Sequence, residues 1–529
     1  MGKYYRRHIF LCTILLGLAT LPVLHSCKKS TGNGQKNKSD AQLIKPNIIL
    51  FYIDDLGYGD VGYNGAVGVQ TPAIDRLAKG GIAFTDAHST SATCTPSRYS
   101  VLTGQHAFRN NAAILQGDAP LLIQPGSYTL PAMLRKAGYR TGVVGKWHLG
   151  LGNGSIDWNA DVKPGPLEIG FDYSFLLPAT GDRVPTVYLE NHRVLNASPN
   201  DPIVVDYEMK LEGYPNGLDH PEQLRQQADK QHSNTIVNGI SRIGYMKGGE
   251  AALWVDEDFP EVLTGKVRDF LNVESDKPFF LFFSYHDIHV PRLPHPRFQG
   301  KSTMGPRGDA IAQMDWMTGE VIKELEKRGL AKNTLVIFTS DNGPVLNDGY
   351  EDQAEELLGT HRPAGVFRGG KYSAYEAGTR VPTLVYWPGK IKPGISNALV
   401  SQVDIYASLA ALVGQRLADD EAIDSQNLLS TFTDYTQPGR TFLLEESYTT
   451  SLRKGNWKYI EPFPKGKRLP DFMKDKGVEG GFQHYAQLFN LTDDPGEQRN
   501  LSEKNPEMVR QLQNEIEHIR TLTKRGGEQ

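Results

Sequence analysis

Four apolar runs break the polar background at wide intervals, and each leads into residues that carry charge or chemistry. PNIILFYI (46–53) runs into Asp54 and Asp55, YRTGVVG (139–145) into Lys146, PFFLFFSY (278–285) toward His289, and NTLVIFTS (333–340) into Asp341 and Asn342. Runs that are apolar at nearly every position, rather than at alternate ones, are the mark of strands buried on both faces. Helical stretches lie between them, such as TLPAMLRKAG (129–138) and DAIAQMDWMTGEVIKELEKRG (309–329), the second with apolar residues at three- and four-residue steps. The alternation predicts an α/β fold: a large, mostly parallel or mixed sheet flanked by helices. Ligands of such sheets bind beyond the carboxyl ends of the strands, where all of these polar residues fall.

After the helix-like SQVDIYASLAALVG (401–414) the texture changes. RTFLLEES, SLRKGNWKYIEPF and HYAQLFNL are short strand-like pieces, and NPEMVRQLQNEIEHIRTLTKR is a polar amphipathic helix. This predicts a main domain over 46–424 and a smaller C-terminal α+β domain over 425–529. The Gly-, Pro- and Asn-rich stretch from 150 to 250 has little regular period and reads as long loops covering a site. No repeat or heptad pattern is visible.

The N-terminus sets a different expectation. KYYRRH followed by the short apolar run IFLCTILLGLATLPVL reads as an export signal over 1–27 rather than a membrane span. VLHSC resembles a bacterial lipoprotein box that would place a lipid on Cys27, with His25 departing from the usual pattern and ordinary cleavage as the alternative. Residues 28–45 would then be a flexible tether. The expected location is outside the cytoplasm: periplasmic, or anchored by lipid at the outer membrane of a Gram-negative bacterium.

Overall charge changes the picture little. The 529 residues carry a formal net charge of −4, so no global basic field argues for nucleic acid. Cysteine usage changes it more. Of three cysteines, Cys12 falls in the signal and Cys27 at its end, which leaves Cys94 without an intramolecular disulfide partner in an exported chain. Cys94 is the fourth residue of SATCTPSRYSVLTG, residues 91–104. Pro96 suits the first turn of a helix, which puts Cys94 at the positive helix N-terminus, with Arg98 one turn on along the same face. An inert buried thiol is one reading. A thiolate nucleophile is another, although no paired base is evident and the nearby carboxylates point to a metal instead.

CTPSR matches the C-x-P-S-R signature of the formylglycine-dependent sulfatases, relatives of the alkaline phosphatases. The chain resembles that family from about residue 46 to its end, with VLTGQH and GKWHLG as further matching motifs. The resemblance implies that a maturation enzyme converts Cys94 to formylglycine, whose hydrate attacks sulfur. Asp54, Asp55, Asp341 and Asn342, with the hydrate at Cys94, would hold Ca2+, an assignment that all-oxygen donors suit. Arg98 and Lys146 would hold the hydrate and His148 would act on it as base. His289, in HDIHVP, and Lys371, in RGGKYSAYEAGTRVP, would address the sulfate and the leaving oxygen; His286 competes with His289 for that place. One hydroxyl of the hydrate would attack sulfur. The other, deprotonated by His148, would expel sulfate and restore the aldehyde.

The expected substrate is a sulfated carbohydrate, cleaved in exo fashion. FDYSFLLPATGDRVPTVYLENHRV, between His148 and His289, lies outside the sulfate chemistry and is the expected wall of a sugar pocket. Asp182 and Arg183 are its candidate substrate-binding residues, a solvated turn being the plain alternative, and His361 is assigned with them. The local texture resembles sulfatases acting on 6-O-sulfated galactose or N-acetylgalactosamine. Two rivals remain open: a phosphoesterase or phosphonate hydrolase of the same superfamily, and an inactive glycan-binding relative.

Overall fold

The computed structural model describes residues 45–525. The expected export signal, the expected lipid site at Cys27 and nearly all of the expected tether lie outside the described residues. Lys45, the last residue assigned to the tether, already donates from its ammonium to the Ala137 carbonyl (2.6 Å).

A ten-stranded sheet runs through the molecule. Its strands are β1 (Asn47–Ile53), β2 (Ile82–Phe84), β3 (Arg140–Lys146), β4 (Tyr173–Leu177), β5 (Leu189–Glu190), β6 (Arg193–Val194), β7 (Phe279–Ser284), β8 (Thr334–Ser340), β9 (Thr383–Tyr386) and β10 (Gly394–Ser396). They are ordered β10-β2-β9-β8-β1-β7-β3-β4-β5-β6. Five adjacent strands, β8, β1, β7, β3 and β4, are mutually parallel, and antiparallel strands extend both edges. All seven residues of β1 are buried. Ile48, Leu50 and Tyr52 enter one core with Leu102, Met133 and Leu409, while Ile49, Phe51 and Ile53 enter the other with Leu77, Leu263 and Ile311. A strand of period two between two helical layers therefore needs apolar residues at every position, each large one worth about 1.5–3 kcal/mol on full burial.

Those layers come from α1 (Pro72–Gly80), α2 (Cys94–Thr103), α3 (Leu130–Lys136), α4 (Phe259–Asn272), α5 (Gly305–Lys327) and α6 (Asp404–Leu412). Helix α2 is buried along its whole length and ends on Gly104, whose φ of 68° closes the helix in a left-handed cap. Register aligns the business ends of the strands. Ile53 pairs with Ser340, Tyr52 with Ser284, and Ser284 with Gly145, so Asp54, Asp341, Lys146 and the segment after Ser284 leave the sheet side by side. Gly145 has a φ of 106°, and a Cβ there would lie 1.8 Å from the Ser284 carbonyl oxygen; only glycine allows the two strands to meet there.

The C-terminal sheet is antiparallel, with β11 (Phe442–Glu446), β12 (Thr450–Lys454), β13 (Trp457–Ile460) and β14 (Gln487–Asn490) in that order. Helix α7 (Pro506–Thr521) buries Leu512, Ile516 and Ile519 against Leu444, Leu452, Tyr459 and Leu488. This sheet starts at Phe442, whereas the pattern reading divides the chain at 425. Leu428 and Phe432 pack in the core of the large sheet, and Arg440 grips Asp404 at the start of α6 (2.7 and 2.6 Å). The linking stretch 425–441 thus belongs physically to the first domain.

A buried ionic cluster seats the second sheet on the first domain. Lys458 reaches Glu376 (3.2 Å) and Glu445, Arg453 reaches Glu376 and Asp86, and His88 lies between Asp86 (2.8 Å) and Glu445 (2.9 Å). Beside it, Ala92 N–H donates to the Glu446 carbonyl (2.8 Å) and Tyr372 N–H donates to the Ala92 carbonyl (2.7 Å). The loop before Cys94 is therefore fixed between β11 and the loop that carries Lys371.

The stretch from 150 to 250 is more regular than its composition predicts. It contains β4, which pairs in parallel with β3, and two small antiparallel ribbons, Thr235–Val237 with Ile240–Arg242 and Val204–Asp206 with Tyr245–Lys247. These elements have three to five residues each, too few for periodicity to register. Apart from β5, β6 and a few short helical turns, what remains of the segment forms loops, one of which brings Asp182 and Arg183 beside Cys94.

Candidate active site

Helix α2 delivers the two most informative residues of the CTPSR motif. Cys94 is its first residue and is 2% exposed; Arg98 is 1% exposed. Arg98 donates from Nε (3.0 Å) and a terminal nitrogen (2.7 Å) to Asp341, and its other terminal nitrogen donates to the Lys146 carbonyl (3.2 Å) and the Ser284 hydroxyl. Lys146 donates to both oxygens of Asp54, at 2.7 and 2.6 Å. Lys371 donates to Asp55 and to Asp348, each at 2.9 Å. Three carboxylates at strand ends are thus ringed by three cations from separate parts of the chain.

The charges respond to this packing. Burial opposes ionisation of Asp54, but Lys146 and its cationic neighbours hold its carboxyl well below the usual range. Burial together with the Asp54 charge pushes Asp341 up to about 7, the signature of carboxylates crowded together without enough positive charge. Burial pushes the Cys94 thiol up to about 12, a direction that disfavours the thiolate reading of the unmodified side chain.

Asn342 adds the observation that speaks for a cation. Its Nδ2 donates to Asp55 (2.8 Å) and to the Gly343 carbonyl (2.9 Å), while its Oδ1 is buried with no hydrogen-bond partner. An orphaned amide oxygen beside Asp54, Asp55 and Asp341 fits a hard, oxygen-seeking ion. The Cys94 sulfur belongs to one cluster with Asp54 and Asp55, their ligand atoms all within 4.8 Å of one another. His286 also approaches Asp54 (3.5 Å from Nδ1), but its Nε2 accepts from Gly181 N–H (3.1 Å). Its proton is therefore on Nδ1, facing Asp54 without a hydrogen bond, so that nitrogen offers no lone pair to a metal.

Three histidines line the cavity above Cys94: His148, His289 and His232. His148, with φ 55°, uses Nε2–H to donate to the Leu115 carbonyl (3.0 Å), leaving Nδ1 buried and unpartnered. Burial and the nearby Lys146 and Arg183 hold its pKa well below the ordinary value, so the ring is neutral and Nδ1 presents a lone pair. His289 donates from Nδ1 to the Val290 carbonyl (2.7 Å), leaving Nε2 3.9 Å from Asp55; burial and Lys371 lower its pKa to about 4. His289 lines the cavity, and His286 sits behind it.

The loop after β4 closes one side. Asp182 is 2% exposed and pairs with Arg183 (2.9 and 2.8 Å), with the Thr180 hydroxyl and with His232 (3.2 Å). His232 meets Asp229 with its other nitrogen (2.7 Å); burial works against its charge, but the two carboxylates raise its pKa. Asp182 and Arg183 both line the cavity with Cys94, His148 and His289, so the pair is no solvated turn. His361 is placed elsewhere: its Nε2 bonds Asp60 (2.8 Å) beside Arg307, and its Nδ1 accepts from Val67 N–H (3.2 Å). Both ring nitrogens are spent on scaffold, and the substrate-binding assignment of His361 is corrected accordingly.

Sequence reasoning overlooks Asp348, Tyr372, His232, Gln231 and Lys476, all of which line the same cavity. Their local sequences, such as LNDGY and KDKG, read as ordinary polar loops. Outside this cavity a larger space of about 540 Å³ shares Arg183, Gln231 and Tyr372 with it and adds Tyr448, Lys467 and Phe472, room for more of a substrate than its sulfate.

A strand-end set of carboxylates and an amide, a helix-opening cysteine and a shell of cations define the site of an alkaline phosphatase-like sulfatase. The family model described as Sulfatase matches residues 46–415, and the chain belongs to that family of sulfuric ester hydrolases. It is 48% identical to an N-acetylgalactosamine-6-O-sulfatase of Bacteroides thetaiotaomicron over 95% of this chain and 98% of the relative. A solved Bacteroides thetaiotaomicron structure, from work on the metabolism of multiple glycosaminoglycans, superposes with a TM-score of 0.87 at 49% identity, covering 90% of this chain and all of the other. A phosphonate monoester hydrolase of Agrobacterium radiobacter shares the fold alone, with 16% identity, a TM-score of 0.55 and coverage of 90% and 96%.

Proposed function

We propose that this sulfatase removes the 6-O-sulfate from a terminal N-acetylgalactosamine or galactose unit of a sulfated glycan. The observation that carries the reading is the convergence of the Cys94 set and the Asp182–Arg183 pair on one narrow cavity. A sulfate at Cys94 leaves its sugar ring facing a fixed acceptor and a fixed donor, the arrangement that distinguishes hydroxyl configurations. The similarity to the N-acetylgalactosamine-6-O-sulfatase supports the choice of sugar.

In this reading the formylglycine made from Cys94 supplies, as its hydrate, the oxygen that attacks sulfur. Asp54, Asp55, Asp341 and Asn342 would hold Ca2+, which would supply positive charge for the sulfuryl oxygens. The remaining work falls to side chains. Arg98 and Lys146 keep the carboxylates oriented and the floor of the cavity cationic. His148 takes the proton of a hydrate hydroxyl at Nδ1, the nitrogen left free by the Leu115 carbonyl. Lys371 faces the sulfuryl oxygens, and His289, through Nε2, faces the departing sugar oxygen. The N-terminal pattern supports export and attachment to a membrane through a lipid on Cys27.

The test is sulfate release from a panel of defined sulfated mono- and disaccharides, followed by ion chromatography. The expected result is a preference for galacto-configured 6-sulfates. A preference for gluco-configured or 4-O-sulfated sugars would overturn the assignment, and faster release of phosphate than of sulfate from matched aryl esters would overturn the chemistry.

A further inference from the structure

Cations and carboxylates alternate around the cavity. Lys371 meets Asp348 (2.9 Å), Asp348 meets Lys476 (3.1 Å), and Lys476 lies 3.8 Å from Asp229. Asp229 holds His232 (2.7 Å), which reaches Asp182 (3.2 Å), which pairs with Arg183 (2.8 Å). Every member except Asp229 lines the cavity. Lys476 alone comes from the C-terminal domain, beyond residue 415 where the family match ends. Its side chain is 5% exposed and follows the short helix Asp471–Asp475, whose Phe472 packs on Tyr372 with ring centres 5.1 Å apart.

Burying an ammonium costs several kcal/mol unless partners compensate it. The consequence of this one falls on Lys371. That residue is shared between Asp55 and Asp348, which leaves its third N–H for a sulfuryl oxygen, and a move of the ammonium toward that oxygen exchanges part of its hold on Asp348. Were Lys371 the only donor to Asp348, the exchange would strand a buried carboxylate, the costly half of a broken ion pair. Asp348 has two other donors, however: Lys476 on Oδ1 (3.1 Å) and the Tyr372 hydroxyl (3.1 Å).

We infer that Lys476 is a positioning residue for the desulfation step: by holding Asp348 it releases Lys371 to the sulfuryl group. Because the effect passes through Lys371, it concerns every sulfate ester the enzyme cleaves, whatever its alcohol. A direct sugar contact by Lys476 would instead concern the sugar substrate alone.

The inference rests on the placement of Lys371 at the sulfuryl group, and the experiment separates the two. Sulfate release is measured for K371A, K476A, K476R, D348N and the K476A/D348N double variant, on a sulfated sugar and on an aryl sulfate, with the fold of each checked by circular dichroism. K476A is expected to lower kcat/KM by about the same factor on both substrates, on the order of 10- to 100-fold, with K476R restoring most of it. In the D348N background the same substitution should cost less than about 3-fold, because its route is gone. If K476A does not fold, Lys476→Met keeps the stem against Phe472 and carries the same expectation. A loss confined to the sugar substrate, a loss undiminished in D348N, or no loss at all overturns the inference. K371A with unchanged rates on both substrates overturns the placement of Lys371 itself, whatever Lys476 does.

Discussion

The Lys146 ammonium lies 2.7 and 2.6 Å from the two carboxylate oxygens of Asp54, and neither side chain has any contact with solvent. Such a pair contributes little net stability, but removing one partner leaves the other charge buried and alone, at about 3–5 kcal/mol. Lys146→Ala is therefore expected to lower the melting temperature of chelator-treated protein strongly. Excess calcium should recover part of the loss, because a cation among Asp54, Asp55 and Asp341 replaces the missing charge. Melting curves of wild type and variant, each with and without calcium, check this; equal losses in both conditions would count against a cation site beside Asp54.

Calcium itself is tested at Asn342, whose buried Oδ1 has no hydrogen-bond partner among the described residues. Asn342→Ala is expected to weaken calcium binding at least about 10-fold in calorimetric titrations, in line with loss of a ligand. Asp341→Ala is a poorer probe: it would also strip Arg98 of its paired carboxylate and destabilise the fold. Unchanged calcium affinity in Asn342→Ala would place the ion elsewhere.

Cys94 is 2% exposed and burial pushes its thiol up, which disfavours a thiolate nucleophile. Peptide mass spectrometry of protein from a host with the maturation enzyme should find aldehyde in place of thiol, and specific activity should rise in proportion to the converted fraction. Cys94→Ser should fold and bind substrate without turnover. Full activity in a sample that carries only free thiol contradicts the mechanism.

Asp182 and Arg183 give a specificity prediction. Asp182→Ala or Arg183→Ala should lower kcat/KM on the 6-sulfated sugar by about 1–3 kcal/mol, the scale of lost buried hydrogen bonds. An aryl sulfate, which lacks the hydroxyls, should suffer far less. Kinetics on both substrates decide it, and equal losses would assign the pair to the sulfate site or the fold.

Glu497 provides a pH signature away from the site. Burial pushes its carboxyl up to about 8, Lys458 only partly opposing this and Glu376 adding to it; one oxygen accepts from Glu376 N–H (2.7 Å) while the other has no partner. A raised acid pKa means that the folded state keeps a proton which the unfolded chain gives up above about 4.5, so stability falls as pH rises from there to about 8. Glu497→Gln should remove that slope and be more stable than wild type at pH 8. Melting temperatures of both proteins from pH 5 to 9 check the sign, and parallel curves would refute it.

The strands carrying Asp54, Lys146 and Asp341 were legible because residues buried on both faces must be apolar at every position, and the charge that follows such a run marks its end. Cys94 and Arg98 were legible because a helix start has its own local chemistry. Strand β4 was not, since five residues between loops have no period, and neither was the boundary at Phe442, because the residues before it are apolar in order to pack on the first domain. His361 was misassigned for a related reason: an isolated histidine carries the same letter whether its ring faces a substrate or Asp60.

By itself the sequence determined the fold class, the strand-end carboxylates and the helix start at Cys94, properties set by periodicity or by neighbours within one turn, while a role for Cys94 in the chemistry came only from the resemblance of CTPSR to a family motif. Only the tertiary structure decided that Asp182, His232, Asp348 and Lys476 share a cavity with Cys94, that His148 presents Nδ1, and that His289 rather than His286 lines the site. Those outcomes depend on which groups from distant segments compete for the same hydrogen bonds and the same buried charge, and no local pattern encodes that competition.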